Sequence, residues 1–411
     1  MTGRKTSWRW LIALALFLAA LLNYLDRNVL GLLAVTIQQD LNISNQQYAG
    51  IINCFLVAYT LANLLSGRVV DKLGVRLSLA LFLVWWTAAN ALTGFSRNFW
   101  QLCGLRFMLG LGEAGCYTAS PKAVAEWFPV AERGLVVGMY SAGGAVGATV
   151  APVIVALVAT HYGWRWAFAV TPILAVLWLV LWFGIYRRAG TLAPPAATVT
   201  PPALPSKPVS EWTRWAGVLQ EPAVWLLMLA RLITDPVWYF FQFWLPKYLQ
   251  NARGLDQQGL ANMWLIFAGA TAGFLLGGYI SGRLIRGGTG AAAARIGCMA
   301  VGAALVPWVA LVPGLSSTTL VIGLAVVVAA GATMFLGNIT SLVVDILPRS
   351  ILGTAFGVIA CGSALGGFFM NKTVAWMIDH HSYDACFYAL GVVHPLALIL
   401  VWRLRRRAVA D

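Results

Sequence analysis

Twelve apolar runs divide this chain, and each is about twenty residues long, the length at which an α-helix crosses the hydrocarbon core of a bilayer. The chain has 411 residues, of which 60% are hydrophobic and only 10% are charged. A soluble globular protein of this size cannot bury so much apolar surface. The sequence therefore predicts an all-α membrane protein with twelve transmembrane helices, near residues 10–35, 47–66, 77–95, 100–122, 135–160, 165–186, 222–249, 259–282, 292–312, 318–343, 352–377 and 384–403.

A segment rich in proline and alanine, GTLAPPAATVTPPALPSKPVSEW, separates the sixth run from the seventh. Such a composition is typical of a flexible linker and does not form a packed core. The sequence thus predicts an N-terminal six-helix bundle over residues 1–189, a cytoplasmic linker over 190–221 and a C-terminal six-helix bundle over 222–411. The first run is too long for the apolar region of a secretory signal, so we expect it to be retained.

The lysines and arginines predict the orientation of the chain in the membrane. Only Arg97, Arg165, Arg253 and Lys247 fall on one side of the alternating runs. The opposite side carries Arg4, Lys5, Arg9, Lys72, Arg76, Arg133, Arg187, Arg188, Lys207, Arg214, Arg283, Arg286, Arg349 and the arginines of 403–407. The positive-inside rule therefore places both termini and the linker in the cytoplasm. The net charge of +14 is spread between apolar runs, which does not favour binding of a nucleic acid.

Two blocks of glycines indicate an internal repeat. The stretch GLVVGMYSAGGAVG in the fifth run carries glycines at 134, 138, 143, 144 and 147, and the stretch GTAFGVIACGSALG in the eleventh run carries four glycines. Each glycine of the second block follows a glycine of the first block by 219 residues. Small residues at such spacing allow close helix packing. Two similar halves joined by a linker are typical of alternating-access transporters.

The polar residues do not indicate an enzyme or a metal site. The chain has four histidines, and they form no HExxH motif or comparable cluster. Its six cysteines lie in or beside apolar runs without the spacing of metal ligands, and we interpret them as packing residues. We expect no cofactor.

Four charged residues lie inside predicted membrane spans: Asp26 and Arg27 in the first, Arg106 and Glu113 in the fourth. A charge at this depth is costly, so these side chains are expected to face a wet cavity or each other. Arg106 and Glu113 project from one helix face, about 10 Å apart along the axis, whereas adjacent side chains such as Asp26 and Arg27 point about 100° apart. A purely structural role, in which buried ion pairs hold helices together, remains an alternative.

The loop after the second run reads GRVVDKLGVR and resembles the signature loop of the major facilitator superfamily, through Gly67, Asp71, Lys72, Gly74 and Arg76. That resemblance implies a conformational latch in which Asp71 pairs with a cation at a neighbouring cytoplasmic helix end, with Arg133 as a candidate. A loop whose charges only fix the topology is the alternative. The corresponding GYISGRLIRGG has Gly282 in place of the acid, which predicts an asymmetric latch.

Further stretches resemble the anion:cation symporter family of that superfamily, namely NYLDRN, RFMLGLGEAG, EWFP followed by ERG, and GSALGG. Within that family, RLITDPVWYFFQFWLPKYLQNARGL in the seventh run is similar to the hexuronate transporters. The resemblance implies proton-coupled uptake of a sugar acid, such as galacturonate or glucuronate, across a bacterial inner membrane. It also implies a monomer whose partners are a small organic anion, protons and the lipid bilayer.

The resemblance also implies roles for the charged residues of the spans. Arg27 matches the arginine that binds the substrate carboxylate, and Asp26 and Glu113 match two proton-binding acids. Arg106 matches the coupling partner of Glu113 and is counted among the substrate-binding candidates.

Other residues are candidates for contact with the sugar. By resemblance, Tyr59 matches a substrate-contacting tyrosine, Ser363 stands where relatives often carry an asparagine, and Gly144 stands where galactonate-type relatives carry a glutamine. A pyranose also needs stacking faces and hydrogen-bond groups, which the seventh run offers in Trp238, Tyr239, Gln242 and Trp244. Trp238 and Gln242, one turn apart, are the preferred pair. Packing against lipid is the alternative for each aromatic residue.

Some polar residues of the C-terminal half have open roles. Arg231 lies one turn before Asp235, so a local ion pair is favoured over substrate contact. Asn338 is a further substrate-binding candidate. Asn371 and Lys372 are expected near the outer end of their helix, where long side chains reach the interface, and His394 is interpreted as a packing residue.

We therefore expect a secondary active transporter that couples sugar-acid uptake to protons by alternating access. Transport of another organic anion, such as an aldonate, a glucarate or an aromatic acid, remains an alternative, as does a membrane sensor that binds such anions without transporting them. Uniport and sodium coupling also remain open.

Overall fold

The computed structural model describes residues 2–128, 130–190, 211–347 and 352–405. Within these ranges the regular secondary structure is entirely helical, which confirms the predicted all-α class. The first half contains α1 (Thr2–Leu32), α2 (Ala34–Leu41), α3 (Asn45–Thr93), α4 (Phe99–Trp127), α5 (Val130–Tyr162), α6 (Trp164–Ala167) and α7 (Val170–Gly190).

The second half contains α8 (Glu211–Gln220), α9 (Pro222–Phe243), α10 (Leu245–Asn251), α11 (Trp264–Arg286), α12 (Ala291–Leu305), α13 (Thr318–Ile346), α14 (Leu352–His380) and α15 (Tyr383–Trp402). Two 3₁₀ helices, Gly259–Met263 and Val306–Gly314, precede α11 and follow α12. The predicted seventh span, 222–249, is thus divided into α9 and the short α10.

In the described part of the chain, ten helices are long and apolar enough to cross a membrane, so the protein is a multi-pass membrane protein. The 49-residue α3 is interrupted at Gly74, whose φ of 73° and ψ of 162° are not helical. It therefore contains the predicted second and third spans. The 29-residue α4 carries Arg106 and Glu113 in its middle, which lowers its hydropathy. The exact number of twelve spans stays a prediction.

The chain divides into two compact units. Unit 1 comprises Met1–Ile43 and Gly50–Lys207, and unit 2 comprises Ser44–Ala49 and Pro208–Asp411. Within unit 1, α1 packs against α5 and α7, and within unit 2, α9 packs against α14 and α15 while α11 and α12 pack against α13. Buried aliphatic side chains of α9, α12, α13, α14 and α15 form the core of unit 2.

Two glycines of α5 allow that helix to touch the backbone of α1. A Cβ atom on Gly143 would overlap the carbonyl oxygen of Phe17, and one on Gly147 would overlap that of Leu21. Larger residues at these positions would therefore push the two helices apart. The glycine spacing found in the sequence thus has a packing function in unit 1.

Unit 2 repeats this contact between α14 and α9. A Cβ atom on Gly362 would overlap the carbonyl oxygen of Met228, and one on Gly366 would overlap that of Leu232. The glycines follow their counterparts by 219 residues and the carbonyls follow theirs by 211. The same helix crossing thus occurs once in each unit, which supports the internal repeat.

A second pair of contacts extends the repeat to α4 and α13. A Cβ atom on Gly112 would lie 2.8 Å from Cβ of Trp86, and one on Gly331 would lie 2.8 Å from Cβ of Leu305. Both residues of the second pair follow their counterparts by 219 positions. Positions on α4 therefore correspond to positions on α13 with this offset.

Candidate functional site

The centre of unit 1 contains an ion pair between α1 and α4. Arg27 donates from Nε and Nη2 to Oε2 of Glu113, at 2.8 and 2.6 Å. The Glu113 side chain is fully buried, and that of Arg27 is 13% exposed. Within the part of the chain that the structure describes, Oε1 of Glu113 has no hydrogen-bond partner. The pair therefore leaves one carboxylate oxygen of Glu113 without a hydrogen bond in a buried site.

Aromatic rings surround the Arg27 guanidinium. Its carbon lies 4.7 Å from the ring centroid of Tyr59, 5.0 Å from that of Tyr24 and 5.2 Å from that of Phe55. Such contacts stabilise a cation that has lost part of its hydration. Gly144 provides space for this arrangement, because a Cβ atom there would lie 2.8 Å from Cδ2 of Tyr24. A planar cation with aromatic neighbours is suited to an organic carboxylate.

Asp26 is buried but does not share the Arg27 partner. Its Oδ1 accepts hydrogen bonds from Asn90 of α3 and Thr171 of α7. Oδ2 has no partner among the described residues. Adjacent residues of α1 thus face different helices, as their angular separation predicts. Unit 1 therefore contains two buried carboxylates in separate surroundings.

The ion pair that the structure shows for Glu113 is made with Arg27 of α1, and the coupling role expected for Arg106 stays a prediction. Arg106 is buried, with its guanidinium carbon 5.6 Å from the ring centroid of Phe168. It interacts electrostatically with both Asp26 and Glu113. Since Arg106 and Glu113 are about 10 Å apart along one helix, an arginine from the neighbouring helix reaches the carboxylate more directly.

Unit 2 brings two of the predicted sugar-contacting residues together. The hydroxyl oxygens of Tyr239 and Ser363 are 3.3 Å apart. Trp238 packs edge to face against Phe267, with ring centroids 6.0 Å apart. Gln242 is buried, and its Nε2 has no partner in the described part of the chain. Unit 2 thus contains hydroxyl, amide and aromatic groups of the kinds that bind sugars.

Other candidates of unit 2 have local structural contacts. Asn338 is buried and donates from Nδ2 to the Met334 carbonyl oxygen at 2.9 Å. Asn371 is also buried, contrary to the expected interface position, because it accepts a hydrogen bond from Nε1 of Trp244 at 2.9 Å. Lys372 is exposed, as expected for a lysine near a helix end.

The expected local pair of α9 is present. Arg231 donates from Nε and Nη2 to Oδ2 of Asp235, both at 2.7 Å. The Arg231 side chain is 20% exposed, whereas that of Asp235 is 6% exposed. His394 is almost fully buried and packs edge to face on Phe335.

The signature loop forms an ion pair that the sequence reasoning missed. Lys122 of α4 lies 2.7 Å from Oδ1 of Asp71 and also donates to the Val70 carbonyl oxygen at 3.3 Å. The candidate partner Arg133 lies outside the residues whose side chains the structure describes. Lys122 is the last residue of the fourth apolar run and lies five residues before the end of α4, and a lysine at that position was the available signal. Of the other loop residues, Arg76 lies against the ring of Phe183.

Comparison with known proteins identifies the family. Residues 16–370 match the Major Facilitator Superfamily. The chain belongs to this superfamily. It is 26% identical over 402 residues to the hexuronate transporter of Escherichia coli (strain K12), covering 96% of this chain and 93% of that protein. It is 30% identical over 285 residues to the galacturonate transporter of Dickeya chrysanthemi, covering 66% of this chain and 81% of that protein.

A solved structure agrees with the fold. The crystal structure of a D-xylose-proton symporter superposes with a TM-score of 0.75 at 16% identity, covering 96% of this chain and 97% of that one. At this identity the likeness concerns the fold alone. Together these matches confirm the resemblance to the superfamily and to hexuronate transporters, and they identify the protein as a transporter and not an enzyme.

Proposed function

We propose that this protein is a proton-coupled symporter that takes up a sugar acid, a hexuronate such as galacturonate or glucuronate. The observation that carries the proposal is the buried ion pair between Arg27 and Glu113. It joins a cation that can bind an organic carboxylate to an acid that can bind a proton. The names of the relatives support the substrate class.

Coupling follows from competition for Arg27. A substrate carboxylate that binds the guanidinium takes the place of Glu113, which then remains buried without its counter-ion. A buried carboxylate in that condition binds a proton, because burial penalises its charged form. Sugar-acid binding and proton binding thereby favour each other. When the proton leaves Glu113, the carboxylate regains Arg27 and releases the substrate.

Asp26 is proposed as the second proton-binding acid. It is buried, its Oδ2 has no hydrogen-bond partner among the described residues, and its Oδ1 is held by the neutral groups of Asn90 and Thr171. A protonated Oδ2 would remove the cost of a buried charge. Arg106, which interacts with both acids, is proposed to adjust their affinity for protons.

The sugar ring is proposed to contact neutral polar and aromatic groups. Tyr59 of unit 1 lies beside Arg27, where it can receive a ring hydroxyl next to the carboxylate. In unit 2, Trp238, Tyr239, Gln242 and Ser363 stay proposed sugar contacts. Asn338 stays a weaker proposal because its amide already bonds within α13.

The transport cycle is proposed to proceed by alternating access in a bacterial inner membrane, with both termini in the cytoplasm and the protein acting as a monomer. The loop residues Gly67, Asp71, Lys72, Gly74 and Arg76 would form the latch. Lys122 is the cation that pairs with Asp71 in this structure. A latch of this kind must open and close, and an exposed ion pair is weak enough to do so.

The test uses purified protein in proteoliposomes with an imposed pH gradient and radiolabelled galacturonate. We expect accumulation against the concentration gradient for the wild type, and accumulation by neither Arg27→Lys nor Glu113→Gln. Glu113→Gln should still exchange internal for external galacturonate, because it keeps the binding cation.

Glu126→Gln serves as the matched control. It makes the same change on the same helix, at an exposed position where Glu126 accepts a hydrogen bond from Tyr186, and it should accumulate galacturonate normally. Accumulation by Glu113→Gln equal to that of the control would refute the coupling role. Uptake of glucarate or an aldonate but not galacturonate would favour a different organic anion, and binding without any counterflow would favour a sensor.

A further inference from the structure

Unit 2 contains a small polar cavity between α9, α13 and α15. Its lining includes Thr234 and Asp235 of α9, Thr333 of α13 and His394 of α15, together with the apolar surfaces of Trp238 and Leu336. Asp235 is 5% exposed and His394 is 1% exposed. A polar cavity among buried side chains is a place where water can be held.

Two polar atoms at this cavity have no hydrogen-bond partner within the described part of the chain. They are Oδ1 of Asp235 and Nδ1 of His394. A buried acceptor without a partner destabilises the folded protein. The hydroxyl hydrogens of Thr234 and Thr333 do not supply the missing bonds, because these groups donate to the carbonyl oxygens of Ala230 and Ala270.

Both atoms are acceptors that can share one water as their hydrogen-bond donor. Carboxylate Oδ1 is an acceptor, and Nδ1 of His394 is an acceptor in the tautomer that carries its hydrogen on Nε2. A water in the cavity has two hydrogens to donate, one to each. Such a water connects the imidazole to the carboxylate of Asp235 and gives a proton a path onto Nδ1.

We propose that this cavity is a proton-binding site of the transport cycle, in which Nδ1 of His394 takes up one proton through a water held against Asp235. The proton forms an N–H bond that donates to the water, and the water donates to Asp235 Oδ1. No bond other than that to the incoming proton is made. This role for unit 2 goes beyond the proposed acids Asp26 and Glu113, and its transport readout rests on the proposed proton coupling.

The donor set favours a proton over a metal cation. Hard cations need several oxygen ligands, whereas the unpartnered atoms here are a single carboxylate oxygen and an imidazole nitrogen. Charged groups on the helices packed against α15 are either paired with another residue or exposed. On α12, Arg295 binds Asp345 of α13. On α14, Lys372, Asp379 and His380 are exposed. The charges that face the cavity are therefore Asp235 and its partner Arg231.

Arg231 controls whether His394 can hold a proton. With Arg231 bound to Oδ2, the charge of Asp235 is already neutralised, and a second buried cation on His394 would lack a counter-ion. Arg231 is the more exposed member of the pair, so it can leave toward water. Once it has left, Asp235 needs a new cation, and the imidazolium of His394 supplies it. The proton thus takes the place of the arginine.

The internal repeat places this cavity in correspondence with the site of unit 1. With the offset of 211 residues between α1 and α9, Trp238 corresponds to Arg27. With the offset of 219 residues between α4 and α13, Ala332, which also lines the cavity, corresponds to Glu113. Each half therefore has a polar centre whose lining includes corresponding helix positions. In each centre an arginine bound to a carboxylate competes with a proton.

The first experiment measures protonation directly and does not depend on transport. Protein with ¹⁵N-labelled histidines in lipid nanodiscs is examined by NMR at about pH 5, below the ordinary titration range of histidine. The signal lost in His394→Gln identifies His394. We expect a neutral imidazole in the wild type, an imidazolium in Arg231→Gln, and a neutral imidazole again in the double variant Arg231→Gln with Asp235→Asn. A neutral His394 in Arg231→Gln overturns the proposal.

The second experiment measures coupling. With the membrane potential clamped and a pH difference of one unit, each coupling proton contributes about 1.36 kcal/mol, which is about a tenfold factor in accumulation. His394→Gln should therefore accumulate galacturonate about tenfold less than the wild type. His161→Gln, an exposed histidine on α5, is the control and should match the wild type. Equal accumulation by His394→Gln overturns the proposal. If the wild type itself does not accumulate galacturonate under the pH difference, proton coupling is refuted instead.

Discussion

Replacing Glu113 by glutamine tests the competition for Arg27 at the level of binding. In the structure, Glu113 accepts two hydrogen bonds from the guanidinium, and a substrate carboxylate has to displace both. Glutamine has nearly the same shape but carries no charge, so it holds Arg27 less strongly. We therefore expect Glu113→Gln to bind galacturonate more tightly than the wild type, although it loses proton-driven accumulation.

The size of the effect follows from the two bonds. A hydrogen bond to a charged group contributes about 1.5–3 kcal/mol, and a neutral one contributes about 0.5–1.5 kcal/mol. Replacing the carboxylate by an amide thus weakens each bond by about 1 kcal/mol, or about 2 kcal/mol for both. Since about 1.4 kcal/mol is a tenfold change in a binding constant, the affinity for galacturonate should rise about thirtyfold.

The assay is calorimetric titration of galacturonate into purified protein across weakly acidic to weakly alkaline pH. The affinity of the wild type should increase as the pH falls, because protonation of Glu113 releases Arg27 for the substrate. The affinity of Glu113→Gln should be high throughout and vary little with pH, and Glu126→Gln should behave like the wild type. Weaker binding by Glu113→Gln, or an unchanged dependence on pH, would refute the competition.

Three further predictions concern packing, the latch and a buried lysine. Gly147→Ala should lower the thermal unfolding midpoint by an amount equivalent to about 1–3 kcal/mol, because the added Cβ overlaps the α1 backbone. The control Gly138→Ala, on the same helix, has open space around its Cβ and should not destabilise the protein. Asp71→Asn should slow galacturonate uptake several-fold without changing the unfolding midpoint, since its pair with Lys122 is exposed; equal rates would contradict the latch. Burial lowers the pKa of Lys247 on α10 to about 8 from 10.5, so between these values the unfolded state binds more protons and stability should rise with pH. Thermal unfolding at several pH values checks this, and the rise should be absent in Lys247→Met.

The fold could be predicted because the bilayer imposes one solution on long apolar runs. In lipid every backbone polar group must bond within its own segment, so runs of spanning length become helices. The paired glycine blocks at a constant offset also predicted the repeat, since close helix crossings require small residues at fixed spacing. The structure shows these glycines against the carbonyl oxygens of the neighbouring helix.

The partners of the charged residues could be predicted only where they lie on one helix. Arg231 and Asp235 are four residues apart on α9, and their pair follows from helix geometry. Arg106 and Glu113 also share a helix face, yet Glu113 pairs with Arg27 of another helix. The helix crossing decides which cation arrives at the carboxylate.

By itself, the sequence determined that the chain spans a membrane, where its helices lie and that it contains a repeat. It also identified the few charged residues inside the spans, which are costly there and therefore candidates for function. The tertiary structure alone decided that Arg27 binds Glu113, that Asp26 faces Asn90 and Thr171, and that Asp235 shares a cavity with a histidine distant in the chain. The physical reason is the distance along the chain over which each effect acts. Hydropathy and helix periodicity act over neighbouring residues, whereas the pairing of buried charges depends on how whole helices cross.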